Sequence, residues 1–307
     1  MAIKQVRVKI NNAWTVLTYN SDTGNYEATI AAPNITSYNI NDGHYYPVTV
    51  EATNMAGTVS TKDDTDVSLG SNLRLRVKEQ TAPVISITSP TASAFLSTNT
   101  PDVVFTVVDE NNGSGVDISS LKIKVDSQML TNTSAGVTVS TITNGYSIKY
   151  VPQMAFSDGV HKVTVNCSDH DGNSATEKSV SFTVDTVAPT LTVTQPKENG
   201  TYVASAVFTV KGTTNDVTSS VASVVIKLNG ADQGDVAVDS AGNFEKTVTL
   251  KEGGNTIEVT ANDRAGKTTT VSRTILLDLS VPNIETLSIA PNPVNTGKSF
   301  VISVKVN

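Results

Sequence analysis

The sequence predicts an all-β protein built as a series of β-sandwich modules, and three observations carry that prediction. An apolar alternating strand that runs into an Asp/Asn turn with a fixed glycine occurs at residues 48–57, 163–172 and 257–266. A lysine flanked by aliphatic residues also recurs three times, as Val8-Lys9-Ile10-Asn11, Ile123-Lys124-Val125-Asp126 and Ile226-Lys227-Leu228-Asn229. The copies lie roughly 95 to 115 residues apart, too far for solenoid units of about 20 to 50 residues and suited to whole β-domains. The third observation is period-two alternation along most of the chain, with no convincing helix.

Taken in order, the alternating runs are 6–10, 84–87, 103–107, 121–125, 191–193 and 207–210. Val, Thr and Ser dominate them, and β-branched side chains suit a pleated surface. Asn-Gly pairs at 112–113, 144–145, 199–200 and 229–230 supply the positive-φ turns that short strands need. Downstream of the lysine phrase, residues 21–30 mirror residues 240–248, each with an aromatic after a Gly-Asn turn (Tyr26 and Phe244). Sheets joined in this order make sandwiches in the immunoglobulin style. Prolines at Pro83, Pro189 and Pro282 follow short polar links, so the expectation is a semi-rigid rod of tandem immunoglobulin-like β-sandwiches. The modules read as 1–80, 81–186 and 187–280, followed by a strand pair at 281–307.

The modules are not equally complete. The second and third each open with two strands before the lysine phrase, whereas the first begins directly at Val6, in line with the third strand of its siblings. Residues 284–289 and 300–306 read as two opening strands of a further module. A sandwich without two strands leaves apolar surface and unpaired amides uncovered. Val6, Val8 and Ile10 on one side and Phe300, Ile302, Val304 and Val306 on the other are therefore the expected assembly strands, one copy completing the next by strand addition. Two other readings stand beside it: residues 58–78, including Leu73-Arg74-Leu75-Arg76-Val77, supply a substitute strand, or the sequence stops inside a further domain.

Composition removes several function classes. Net charge is −7, which repels a phosphate backbone, so nucleic acid is not an expected partner. No run of about 18 apolar residues exists, so no membrane insertion is expected, and residues 1–10 alternate charge and valine where a signal peptide would have an apolar stretch. The single cysteine, Cys167, fills the slot of Ala52 and Ala261 and reads as a small core residue. His44, His161 and His170 have no nucleophile partner in a recognised arrangement and read as turn or strand-edge residues. No catalytic residue and no cofactor are assigned. Calcium is the sharpest chemical alternative: Asp109, Glu110 and Asp117 bracket a glycine-rich loop, and Asp169 with Asp171 follows a strand. Against it, Asp and Asn close turns through side-chain to backbone bonds, and neither stretch has EF-hand spacing. Tyr45 and Tyr46 point to opposite faces. Trp14 reads first as a core residue and second as a platform for a sugar.

The stretches 242–244, 250–259 and 263–267 resemble bacterial Ig-like modules attached to surface proteins and glycoside hydrolases, and 109–117 with 157–161 resembles another branch of that group. Taken whole, the opening 6–12, the Gly43-His44-Tyr45-Tyr46 stretch and the closing 291–306 are similar to Ig-like tail proteins of Firmicutes phages and prophages. That resemblance implies a virion structural protein made in the host cytoplasm, partnered by its own copies or other virion proteins and adhering to cell-surface glycans. A surface adhesin or pilus-like subunit at the cell surface is one alternative. An accessory module of a larger carbohydrate-active enzyme is another.

Overall fold

A computed structural model describes residues 2–307. It divides into two compact units, Met1–Asp185 and Thr186–Asn307. Regular structure is almost entirely strand, with single 3₁₀ turns at Ser37–Asn39 and Gly70–Asn72 and, among the described residues, no helix long and apolar enough to cross a membrane.

The first unit opens with one sheet. Its strands are β1 (Ile3–Ile10), β2 (Ala13–Asn20), β3 (Asn25–Glu27), β4 (Tyr46–Asn54), β5 (Val59–Lys62) and β6 (Arg74–Leu75), ordered β3-β2-β1-β4-β5 with β6 on β4. Val8 stands opposite Thr15 on β2 and Val50 on β4, so Val6, Val8, Ile10, Leu17, Val48 and Val50 share one face. Among the described residues no second sheet covers that face. A loop crosses part of it, leaving a groove of about 160 Å³ lined by Val8, Ile10, Ala13, Thr15, Ile30 and Pro33. Among the described residues of this module, only Val8 and Tyr46 are buried apolar residues. The segment expected to supply a substitute strand does not form an opposing sheet. Arg74 and Leu75 pair with Pro47 and Tyr46, which lengthens the sheet already present.

Trp14 corrects another expectation. It pairs with Lys9, so alternation sends it to the polar face, where it is 40 % exposed and the Arg7 guanidinium lies 4.1 Å from its ring centre.

The rest of this unit is a full sandwich. Strands β7 (Val84–Ser89), β8 (Phe95–Leu96), β9 (Val103–Val108), β10 (Val116–Val125), β11 (Gln128–Leu130), β12 (Val137–Ile142), β13 (Gly145–Tyr150), β14 (Gly159–Asp169) and β15 (Lys178–Val184) form two sheets, β12-β13-β9-β7 and β11-β10-β14-β15-β8. The alternate residues Val103, Phe105 and Val107 are fully enclosed, as are Ile123, Ile148, Val163 and Val165. The two repeated phrases lie side by side: Ile123 faces Val165 across β10 and β14 just as Val8 faces Val50.

The second unit repeats this plan. Its strands β16 (Thr190–Gln195), β17 (Thr201–Val203), β18 (Val207–Asn215), β19 (Val221–Leu228), β20 (Ala231–Asp232), β21 (Asn243–Thr249), β22 (Gly253–Asp263) and β23 (Thr268–Leu277) form sheets β16-β18-β21 and β17-β23-β22-β19-β20. Ile226 faces Val259 inside a core with Val210, Phe244 and Ile257. A two-stranded sheet follows, β24 (Ile284–Ala290) with β25 (Val301–Val306), paired antiparallel as β7 is with β9 and β16 with β18. Ile289 faces Ile302 and Leu287 faces Val304, and all four are exposed.

β21 also explains the shortness of β3. Phe244 and Val248 run along β18, but the matching residues 25–30 have no such neighbour, and only Asn25–Glu27 stays in strand, on β2. A strand without a partner for its amides does not persist.

Cys167 is fully buried beneath Ser120, and burial pushes its thiol above the usual range. A thiol reagent should therefore leave Cys167 unmodified in the native chain and label it at the rate at which this sandwich opens, reaching completion only in denaturant. Fast native labelling would contradict the packing described.

Candidate functional site

Four carboxylates meet where the link between β6 and β7 passes over two loops of the following sandwich. Asp109 directly follows β9 and is only 4 % exposed. Its amide donates to the Asn144 carbonyl at 2.8 Å, and its Oδ2 accepts from the Gly115 amide at 2.7 Å. Asp169 ends β14, 2 % exposed, and both its oxygens are held by Asn173, the backbone amide at 2.8 Å and the side-chain Nδ2 at 2.7 Å. Glu79 comes from the link: its Oε1 accepts from the Ser114 amide, and its carbonyl accepts from Asn173 Nδ2 at 3.3 Å. Carboxylate oxygens of Glu79, Asp109 and Asp169 all lie within 4.8 Å of one another. Glu110 stands beside Glu79 and Asp109.

Three of these groups turn an oxygen inward with no hydrogen-bond partner: Glu79 Oε2, Asp109 Oδ1 and Glu110 Oε2. An uncompensated buried carboxylate oxygen is costly. Burial pushes the Asp109 carboxyl above its ordinary value, and burial together with the Glu110 carboxyl does the same to Glu79. The Asp109–Gly115 loop fits only because residue 113 has no side chain, since a Cβ there would sit 2.6 Å from Asp109 Oδ2 and 3.1 Å from the Glu110 carboxyl carbon.

Of the residues singled out in the sequence, the structure brings together Asp109, Glu110 and Asp169. Asp117 stays apart, within the irregular start of β10, where the pairing with β14 shifts register between Asp117 and Lys122 and its Oδ1 accepts from the Ser119 amide at 3.0 Å. Asp171 ties the link instead: its Oδ2 accepts from the Glu79 amide at 3.1 Å and from Thr36 Oγ1, and its carbonyl accepts from Lys78 Nζ at 2.7 Å. Glu79 was missed by sequence reasoning because it lies thirty residues from Asp109, although the links carry a usable signal: an acidic residue stands four before the link proline in each copy, as Glu79 before Pro83, Asp185 before Pro189 and Asp278 before Pro282.

The same corner holds an aromatic stack. The Tyr38 ring lies between His44, at 4.1 Å, and His170, at 4.4 Å, both nearly parallel to it. Asn39 Nδ2 donates to the Gly113 carbonyl at 2.7 Å. His44 and His170 thus occupy turns, as expected. His161 does not sit at a strand edge. It is buried within β14, which lies between β10 and β15, with Nδ1 2.8 Å from Asp126 Oδ2 and Nε2 2.8 Å from the Ser157 carbonyl. Burial works to raise the Asp126 carboxyl, but the His161 contact and the Lys162 amide outweigh it and hold it below its usual value.

Two outcomes follow from these contacts. Gly113→Ala must displace the Asp109 carboxylate, and denaturant titration should show a loss of about 1–3 kcal/mol. Asp126→Asn removes a carboxylate whose folded value lies below the unfolded one of about 3.9, so its contribution is complete above that value and fades as pH falls through the lower folded one. Melting curves should show the variant less stable at neutral pH, with the gap to the wild type closing in acid.

Comparison with known proteins agrees with this architecture. Residues 81–186 match the family described as a bacterial Ig-like domain, and residues 189–279 match the one described as glucodextranase, domain B. No curated protein matches the sequence. Similar solved structures include the fibronectin(III)-like modules of Clostridium thermocellum CbhA, at 18 % identity over 63 % of this chain and 94 % of that one with a TM-score of 0.39. A 1.5-MDa bacterial ice-binding adhesin, in a structure concerned with host cell surface retention, is 18 % identical over 89 % and 86 %, with a TM-score of 0.30. The sheet topology is that of tandem Ig-like β-sandwiches, and the match to a bacterial Ig-like domain falls on the one at residues 81–186.

Proposed function

We propose that this chain is a non-enzymatic structural protein whose Ig-like modules act as spacers and join head to tail with further copies by strand addition. One observation carries the reading: two apolar faces of complementary kind both lack an opposing sheet among the described residues. The first sheet leaves Val6, Val8, Ile10, Val48 and Val50 without an opposing sheet, while the β24–β25 hairpin exposes Leu287, Ile289, Phe300, Ile302, Val304 and Val306. The hairpin has the strand pairing with which the other two sandwiches open the very sheet that the first module lacks. The contact is heterologous, so it propagates or closes a ring.

We place the protein in a phage or prophage particle, associated with the tail; the resemblance of residues 6–12, 43–46 and 291–306 supports this. Weak adhesion to cell-surface glycans belongs to the same reading, and Trp14, exposed beside Arg7, is a surface on which a sugar ring can stack. A second reading, accessory module of a carbohydrate-active enzyme, is favoured by the match of residues 189–279 to a glucodextranase domain.

Sedimentation velocity on the 307-residue chain should show oligomers that grow with concentration. Val8→Glu and Ile302→Glu should each stop growth, whereas an equimolar mixture of the two variants, which retains one sound junction, should stop at dimers. A monomer at every concentration would overturn the joining.

A further inference from the structure

We propose that the Glu79, Asp109, Glu110 and Asp169 carboxylates form a calcium-binding site that locks the link between the first two modules. The site is drawn from three places in the chain: the link itself, the loop after β9 and the end of β14. Oxygens of Glu79, Asp109 and Asp169, within 4.8 Å of one another, are spaced as ligands around one ion with calcium–oxygen distances of about 2.3–2.6 Å, and Glu110 stands beside them. The independent sign of a ligand is the enclosed, unpartnered Asp109 Oδ1, on a residue 4 % exposed, and Glu79 Oε2 and Glu110 Oε2 are likewise buried without a hydrogen-bond partner. Hydrogen bonds hold one oxygen of Asp109, from Gly115, and one of Glu79, from Ser114, and both oxygens of Asp169, from Asn173, so the loops orient the carboxylates while leaving Asp109 Oδ1 and Glu79 Oε2 unmatched.

The chemistry selects the ion. Carboxylates alone are hard donors and exclude a preference for zinc or copper, which favour imidazole and thiolate. Magnesium demands near-ideal octahedral geometry and keeps its water, whereas calcium accepts a crowded, irregular set of anionic oxygens. Calcium would offset the repulsion among these carboxylates and bind Glu79, hence the link, to the second sandwich. The Asp171 and Lys78 contacts hold the same segment from its other side.

Calorimetry and melting of the full chain, stripped with chelator and then given calcium chloride at about 1–5 mM, test this. The expected result is a rise in melting temperature of about 3 °C or more, slower protease cleavage within residues 78–83, and a smaller effect from magnesium at equal concentration. Glu79→Gln should bind one calcium fewer than the wild type, lose the link protection, and melt higher than the wild type in chelator because it relieves like-charge crowding. Asp117→Asn, which lies outside the cluster, should keep the full calcium response. The proposal is overturned if calcium binds to the wild type without protecting the link, if Glu79→Gln retains the wild-type stoichiometry, or if neither heat nor a melting shift is seen. None of these readouts depends on self-association, so they stand apart from the joining of copies.

Discussion

A strand sends alternate side chains to opposite sides, so each sheet in this chain has one apolar face, and that face must be covered by a second sheet about 10 Å away. Everything else follows from whether the cover is present. In the second module Phe105 and Ile148 from one sheet meet Ile123, Val165 and Phe182 from the other, all almost fully enclosed. In the third, Val210 and Phe244 meet Ile226 and Ile257. In the first, the equivalent face around Val8 has only a crossing loop over it, so its neighbours Val6, Ile10, Val48 and Val50 remain half-buried. The hairpin at the end of the second unit shows the same imbalance in reverse, since it has an apolar face and nothing over it. Burial of such a face stabilises by roughly 25 cal/mol per Å², which gives the two open surfaces a reason to find cover.

The first module is nevertheless held firmly to the second. Tyr38 stacks between His44 and His170, Asn39 reaches the Gly113 carbonyl, and Asp171 receives Thr36 and the Glu79 amide. The contacts are polar and directional, which fits a short link that must settle in one geometry without an apolar interface. They converge on the Asp109–Gly115 loop and the Asp169–Asn173 turn. One corner therefore carries both the anchorage of the link and the crowding of carboxylates.

Much of the fold was legible because its signals are local. The lysine phrase and the strand-turn phrase each repeat every module, and in space they become adjacent strands, with Val8, Ile123 and Ile226 facing Val50, Val165 and Val259. Cys167 was placeable because its slot is filled by alanine in the other copies. Trp14 was misjudged since composition makes tryptophan look like core, whereas its register opposite Lys9 sends it outward. His161 was misjudged for the converse reason: a histidine near a turn looks peripheral, yet β14 runs through the middle of its sheet and carries the ring inward against Phe156 and Phe182.

By itself, then, the sequence determined the strand periodicity, the modular repeat and the turn positions, because each is written in residues close together in the chain. Only the tertiary structure decided which carboxylates meet. Asp109 and Asp169 lie sixty residues apart on opposite sheets, and Glu79 enters from the link thirty residues before Asp109, while Asp117 and Asp171, equally acidic and equally near in sequence, are diverted to hold the irregular start of β10 and the link. Which side chain turns inward depends on register, a glycine at 113 that leaves room and a chain crossing from another module, and none of those is a property of a short stretch of sequence.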